Sequence, residues 1–344
     1  GLALVNGWTR LACLLAVGGI FFCLKIGPPR NRRWLTLAVV LVLWLDLQTQ
    51  QPALTPRIDR ANYDGEISHL REAGPLPLAG RGRVMLTAYA LMDLKGKTLP
   101  DLGQTTVLHR LSLFDNLNLR EGVAKVDGLY SLYLREEQEV EMRLYAGPIE
   151  LRKPLADFAG ITHQSSPTNI FQWLRRPSAM PLISGGQIPE YVDSTATLLA
   201  LENEGFQPAR QVYLEPGVAA SVGEVGTNVA ISDIAITAHR VAFTVNAERN
   251  ALVVIAQAHY HPWKAVVNGQ PMPILRANHA FQAIRVPGGS STVSLEYHDT
   301  AFRLGAGISL LSLVGLMMAF RRSPVAADCP TPKNLFEKLV NQAN

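Results

Sequence analysis

The residues with chemistry to offer are scattered along the chain. They are an H-x-H pair at His259 and His261, neighbours His298 and Asp299, acids at Asp64, Glu66, Asp93 and Asp101, arginine clusters at Arg81 with Arg83 and at Arg175 with Arg176, and tryptophans Trp173 and Trp263. Alternate residues share one face of a strand, so His259 and His261 are spaced to hold a metal, but a site needs further ligands and the sequence identifies none. The plainer expectation is a pair of polar strand-end residues beside Trp263. A lone His-Asp neighbour pair makes no triad, because roles depend on geometry in space. Two carboxylates of a glycosidase must sit about 5 to 10 Å apart in a cleft, and surface solvation is the expected role of the four acids. Arginine forks grip phosphate or carboxylate bidentately. Arg81 and Arg83 are therefore candidate anion contacts, and Trp263 is a candidate glycan contact, although burial in a core explains a tryptophan equally well. Arg175 and Arg176 are expected to end a helix, where cations suit the dipole. The catalytic residues stay unknown, and neither a cofactor motif nor a metal set is read.

Three apolar stretches set the frame that must position these groups. Leu304 to Phe320 holds 17 residues without a charge between Arg303 and the pair Arg321 and Arg322, near the lower limit for crossing roughly 30 Å of hydrocarbon. Leu2 to Leu24 is apolar apart from Asn6 and Arg10, and Trp34 to Leu45 needs extension to about Thr49 to span. Arg10, a cation inside such a helix, is expected to face a polar interior or other helices. The linker KIGPPRNRR carries Lys25, Arg30, Arg32 and Arg33 and no acid. By the positive-inside rule the linker and the tail after Arg321 are cytoplasmic, which leaves residues 51–301 outside the cytoplasm. The expected location is the cell membrane, inner or cytoplasmic, with the lipid bilayer as partner.

Charge follows the same division. Residues 51–301 hold 22 basic and 25 acidic side chains, whereas the remainder holds 10 and 3, so the overall +4 belongs to the membrane-flanking parts. A nucleic-acid partner, which needs a basic stripe on the domain itself, is excluded. Cys13, Cys23 and Cys329 all lie outside residues 51–301, so that region holds no disulfide and no cysteine zinc site. The chain opens at Gly1 within an apolar run that has no basic n-region and no small-residue cleavage site. It reads as a piece of a longer protein, not as a signal peptide.

The expected fold class is an α+β membrane protein, with three transmembrane helices flanking an extracytoplasmic region that has an α/β part and a C-terminal antiparallel β-sandwich. Residues 1–50 supply two helices and their linker, 51–215 the α/β part, 216–301 the sandwich, 302–320 the third helix and 321–344 the tail. In the α/β part, Ser166 and Pro167 predict a helix ending near Arg176. A second is expected from about Asp193 to Phe206, with Gly205 at its left-handed end. The acids of REEQEVEMR predict a solvated helix. In the sandwich, HRVAFTVNA alternates as a half-buried strand, ALVVIAQA reads as a strand buried on both faces, and Asn268-Gly269 predicts a type I′ turn. AFQAIRVPGGSSTVSLEY adds two strands around a Pro-Gly-Gly turn.

The C-terminal block resembles the end of the bacterial YfhO-type membrane proteins. The matching residues are Tyr260, Pro262, Trp263, Asn268, Gly269, Asn278, Phe281, Pro287, Gly288, Tyr297 and the helix after Arg303, with His261 before the proline and no glycine ahead of Trp263. Upstream, FDNLNLREGVAKVDGLYSLYLR and LWLDL are similar to earlier stretches of the family. The resemblance implies a relation to the GT-C class of polytopic glycosyltransferases, which use lipid-phosphate-linked sugars and carry a catalytic acid in the first outer loop. No stretch here corresponds to that loop. The resemblance thus implies the C-terminal fragment of a lipid-linked sugar transferase acting on cell-envelope glycans, with the catalytic part missing and with lipid-linked sugar and glycan as partners. The alternative is a non-catalytic membrane-anchored module that binds glycan or protein at the cell surface.

Overall fold

The computed structural model describes residues 2–26, 32–50, 58–64, 75–97, 99–146 and 153–322. The linker residues 27–31, Glu66 and the tail from residue 323 lie outside the described residues. The chain divides into two compact units, residues 1–66 with 99–107, and residues 67–98 with 108–344.

In the first unit α1 (Leu2–Ile26) and α2 (Arg32–Gln50) pack against each other, and the short α3 (Arg60–Asp64) follows. Trp8, Phe22, Trp34 and Leu47 face outward, as does Arg10. The apolar parts of the two long helices, Arg10–Cys23 and Trp34–Gln48, are shorter than the stretch of about 20 residues a spanning helix needs. Among the described residues, only Thr300–Met318 is long and apolar enough to cross a membrane.

The second unit opens with β1 (Arg83–Met85) and α4 (Ala88–Gly96); α5 (Leu102–Leu111) starts in the first unit and ends in the second, which then continues through α6 (Arg135–Tyr145), α7 (Lys153–Phe158), β2 (Ile161–Ser165) and β3 (Trp173–Arg175). β1 pairs parallel to β2, and β2 antiparallel to β3. Val84, Leu86, Leu94, Leu113, Phe114 and Trp173 form a core beneath this sheet. The helix expected from Ser166 is absent, and β3 stands in its place. Ser166 Oγ accepts from the Thr168 amide at 3.3 Å and Asn169 Oδ1 from the Phe171 amide at 3.0 Å. These side chains close local turns and do not start a helix. Trp173 is then buried opposite Ser165, which draws residues 173–175 into the sheet.

The rest of the unit is built from β4 (Ile183–Gly185), β5 (Ile188–Tyr191), α8 (Ser194–Glu202), β6 (Gln211–Leu214), the short α9 (Ala219–Val222) and eight further strands. These are β7 (Val229–Ile236), β8 (Arg240–Ala247), β9 (Ala251–Ala258), β10 (Trp263–Val267), β11 (Gln270–Met272), β12 (Leu275–Ala277), β13 (Phe281–Val286) and β14 (Gly289–Tyr297). Asp193 caps α8, its carboxylate accepting from the Ala196 amide at 2.9 Å. That helix ends at Glu202, earlier than expected, because Asn203 turns extended and its Oδ1 takes the Gly205 amide.

Strands β7 to β14 join β4 to β6 in two sheets, ordered β11-β10-β14-β8-β7 and β4-β9-β13-β12-β6-β5. The alternation in β8 places Val241, Phe243 and Val245 between the sheets, where they meet Val253, Ile255, Ile284, Val293 and Leu295. Along β9, residues 251 to 256 are all buried. Leu252, Val254 and Ala256 face the other way, onto Val140, Leu144, Leu155, Phe158 and Leu201 of α6 to α8. The six-stranded sheet is therefore the middle of three layers and reads as continuous apolar sequence. The sandwich expected within 216–301 also takes β4, β5 and β6, and the β5 and β6 pair is parallel. The boundary at residue 215 therefore runs through one sheet.

Turns fix the registers. Asn268 (φ 52°) and Gly269 (φ 80°) make the tight β10–β11 turn, while Asn278 (φ 44°) and His279 (φ 70°) sit between β12 and β13. Asn278 exchanges two 2.8 Å bonds with Tyr213: its amide donates to the Tyr213 carbonyl, and its Oδ1 accepts from the Tyr213 amide. Asn278→Ala should cost more stability than Asn278→Gly by roughly 1–2 kcal/mol, because both lose the side-chain bond but only alanine strains at positive φ. Denaturant unfolding of the two variants checks this, and equal losses would contradict it.

Candidate functional site

β14 passes into α10 (Thr300–Arg322) through only His298 and Asp299. Asp299 caps the helix, its Oδ1 accepting from the Phe302 amide at 2.9 Å, so its carboxylate is committed to structure. Every residue of the helix from Thr300 to Met318 is exposed. A helix of 23 residues is about 34 Å long, and one apolar on all faces and uncovered on all faces suits hydrocarbon.

The start of this helix defines one end of the sandwich. In register, Tyr297 lies opposite Trp263 and Glu296 opposite Arg240. The His298 amide donates to the Pro262 carbonyl at 2.9 Å, and the Tyr297 amide to the His239 carbonyl at 2.9 Å. An aromatic cluster gathers here. Tyr297 stands 5.6 Å from Trp263, 6.2 Å from Tyr260 and 6.5 Å from His239, measured between ring centroids. Beside it a cleft of about 470 Å³ is lined by His259, His261, Trp263, Lys264 and Met272, among others. Trp263 is 8% exposed, so it offers the cleft an edge and gives the rest of its ring to the core. His259 and His261 leave the end of β9 and sit on the turn to β10, not on one strand face. Among the described residues they join no group of three His, Cys, Asp or Glu able to hold a metal.

A second cleft, of about 620 Å³, lies at the β2–β3 edge and is lined by Arg81, Thr162, His163, Arg175, Arg176 and a Pro75–Leu78 wall. Arg83 is not part of it. Its guanidinium donates at 2.7 Å to the carbonyls of Ala159 and Ala256, tying β1 to the α7–β2 turn and to β9. Of the four named acids, the three among the described residues are also occupied. Asp64 pairs with Arg60, Asp93 with Lys97, and Asp101 accepts from the Gln104 amide at the start of α5.

Two groupings are not visible in the sequence, the first because its members are far apart in the chain and the second because charge pattern does not show which face of a helix is buried. His279 Nδ1 lies 2.8 Å from Ser194 Oγ, and its Nε2 lies 2.7 Å from Glu139 Oε2. The order is that of a serine hydrolase relay, but the ring is almost wholly buried, and it clasps α6 and α8 to the β12–β13 turn. The second grouping encloses Lys125, Asp127, Glu137, Glu141 and Tyr145. Lys125 donates to the Asp115 carbonyl at 2.7 Å and approaches Asp127 to 3.7 Å. Burial, then the Asp127 and Glu137 charges, push the Glu141 carboxyl up to about 7, so the helix expected to be solvated has a desolvated acid face.

Of the residues that carry the resemblance, Asn268, Gly269, Asn278 and Gly288 build turns, and Trp263, Phe281 and Tyr297 pack. Upstream, Asn116 bonds both ways with Leu129 and Asn118 donates to Val123, lacing the loop before α6.

Because the folded Glu141 pKa stands above its unfolded value, its protonated form favours folding at low pH, and that contribution is lost as pH rises through about 7. Glu141→Gln should flatten the thermal-stability profile over that window and raise Tm at about pH 8. An equal drop at all pH values would contradict the assignment.

Residues 227–309 match the family model of the bacterial membrane protein YfhO. No curated protein and no solved structure matches the chain. The matched stretch takes in β7 to β14, the aromatic cluster and the first part of α10, and over those residues the chain is similar to the YfhO-type bacterial membrane proteins.

Proposed function

We propose that this chain is the outer, glycan-facing module of a YfhO-like lipid-linked sugar transferase that modifies cell-envelope polymers. The observation that carries the reading is the family match running through the sandwich into α10 without a linker. In this reading α1, α2 and α10 span the cytoplasmic membrane, residues 51–301 lie outside, and the basic residues after α1 and at the end of α10 stay inside, as the positive-inside rule requires. The sandwich end holding Tyr260, Trp263 and Tyr297 rests at the headgroup level, where aromatic rings are favoured. The cleft beside Trp263 then opens beside the bilayer surface, where the sugar of a membrane-held donor or a growing polymer passes. His261 and Lys264 supply polar contacts, and Trp263 offers a ring edge. Sugar transfer itself is carried by other parts of the transferase.

Two measurements test this. A cysteine placed at Ser290, in a chain lacking Cys13 and Cys23, should react with a membrane-impermeant maleimide on intact cells, while Cys329 reacts only after permeabilisation. The reverse pattern would overturn the orientation. In membranes holding the full transferase, His261→Ala with Lys264→Ala should reduce glycan incorporation about three- to tenfold without lowering stability, the scale of lost contacts worth roughly 1 kcal/mol. Unchanged incorporation would remove the cleft from the account.

A further inference from the structure

We infer that the cleft at the β2–β3 edge is a binding site for a phosphate-type oxyanion carried on a larger molecule, held by Arg81 and Arg175, with His163 in the same lining. This inference is independent of the sugar-transfer reading and uses none of the residues around Trp263. It rests on a strand that the sequence had suggested was a helix. As part of β3, Arg175 lies opposite His163 of β2, whereas at a helix end it would have had a dipole to serve.

The placement is built by backbone. Arg81 sits between Gly80 (φ 84°) and Gly82 (φ 135°), in a turn closed by its amide on the Leu78 carbonyl at 3.0 Å. A Cβ on Gly82 would stand 2.6 Å from the Thr162 side chain. Only glycine there lets the Arg81 turn lie against β2, where Thr162 and His163 line the same cleft.

The charge is unbalanced. Arg176 is neutralised by Asp157 at 2.6 Å and is itself nine-tenths buried. Arg81 and Arg175 are exposed and make no ion pair among the described residues. The lining contains no Asp or Glu. His163 is 7% exposed, with Nδ1 3.1 Å from Thr162 Oγ1. Burial first, and then the Arg175 charge, hold its pKa below the usual histidine value, so the imidazole does not add to the repulsion. Two unpaired guanidinium forks in a concave wall focus positive potential, and their geometry suits the tetrahedral oxygens of a phosphate monoester or diester. The volume exceeds what a bare phosphate fills, and Leu76, Pro77 and Leu78 give one side an apolar face for whatever carries it.

Arginine modification tests the site directly. The full chain in phosphatidylcholine nanodiscs is treated with phenylglyoxal, with and without inorganic phosphate, and labelled positions are read by peptide mass spectrometry. Phosphate should slow modification of Arg81 and Arg175 together, saturably and by about tenfold, and leave Arg249 on its exposed turn unaffected. Arg81→Gln should weaken protection of Arg175 at least about fivefold at equal Tm, since one fork remains. A second arm replaces phosphate with nanodiscs containing phosphatidylglycerol. Protection in that arm alone identifies a lipid headgroup as the source, and protection in the phosphate arm identifies a soluble or polymer-borne phosphate. No protection in either arm, protection of Arg249 to the same degree, or Arg175 protection that survives Arg81→Gln would overturn the inference.

Discussion

The placement of the sandwich is fixed by the direct junction between β14 and α10. Two residues join them, and both are committed: the His298 amide to the Pro262 carbonyl, and Asp299 to the first turn of the helix. A strand hydrogen-bonded along its length to β8 and β10 cannot swivel freely on a helix that starts two residues later. Whatever surface surrounds the start of α10 must therefore meet the Tyr260, Trp263 and Tyr297 end of the sandwich. That covalent constraint selects which of the loops can touch a membrane.

The sandwich transmits this constraint because its middle layer is enclosed. The six-stranded sheet is covered by β-strands on one side and by α6 to α8 on the other, so neither face can be remodelled without emptying a core. Burying apolar area stabilises by roughly 25 cal/mol per Å², and most large side chains of β9 and β13 lie below one-tenth exposure. Chemistry is left to the rims. The Trp263 cleft sits at the end joined to the helix, and the arginine cleft at the edge of the separate three-stranded sheet.

Much of the sandwich was legible because alternation and turn chemistry are local signals. Val241, Phe243 and Val245, the unbroken run of β9, and the Asn268-Gly269 turn all fell where their periods and φ preferences put them. The segment 166–176 misled because Ser166 and Asn169 serve local turns as readily as helix starts, and only the burial of Trp173 decides between them. That miss concealed Arg175, which a helix end would have explained away. The Glu139, Ser194 and His279 clasp was invisible for another reason, since 140 residues separate Glu139 from His279. Glu141 read as solvated because charge in sequence carries no record of which face a short helix buries.

The proposed orientation sets the Trp263 end of the sandwich on the bilayer. Spin labels placed singly at His261 and Ser290 of the reconstituted chain, with collisional relaxation by oxygen and by a water-soluble nickel complex, measure depth at both ends of the sandwich. Tyr297 lies seven steps along β14 from Ser290, roughly 23 Å at strand rise. The label at 261 should report headgroup depth while that at 290 reports bulk water well above it. Equal water exposure at both positions, or greater depth at 290, would contradict it.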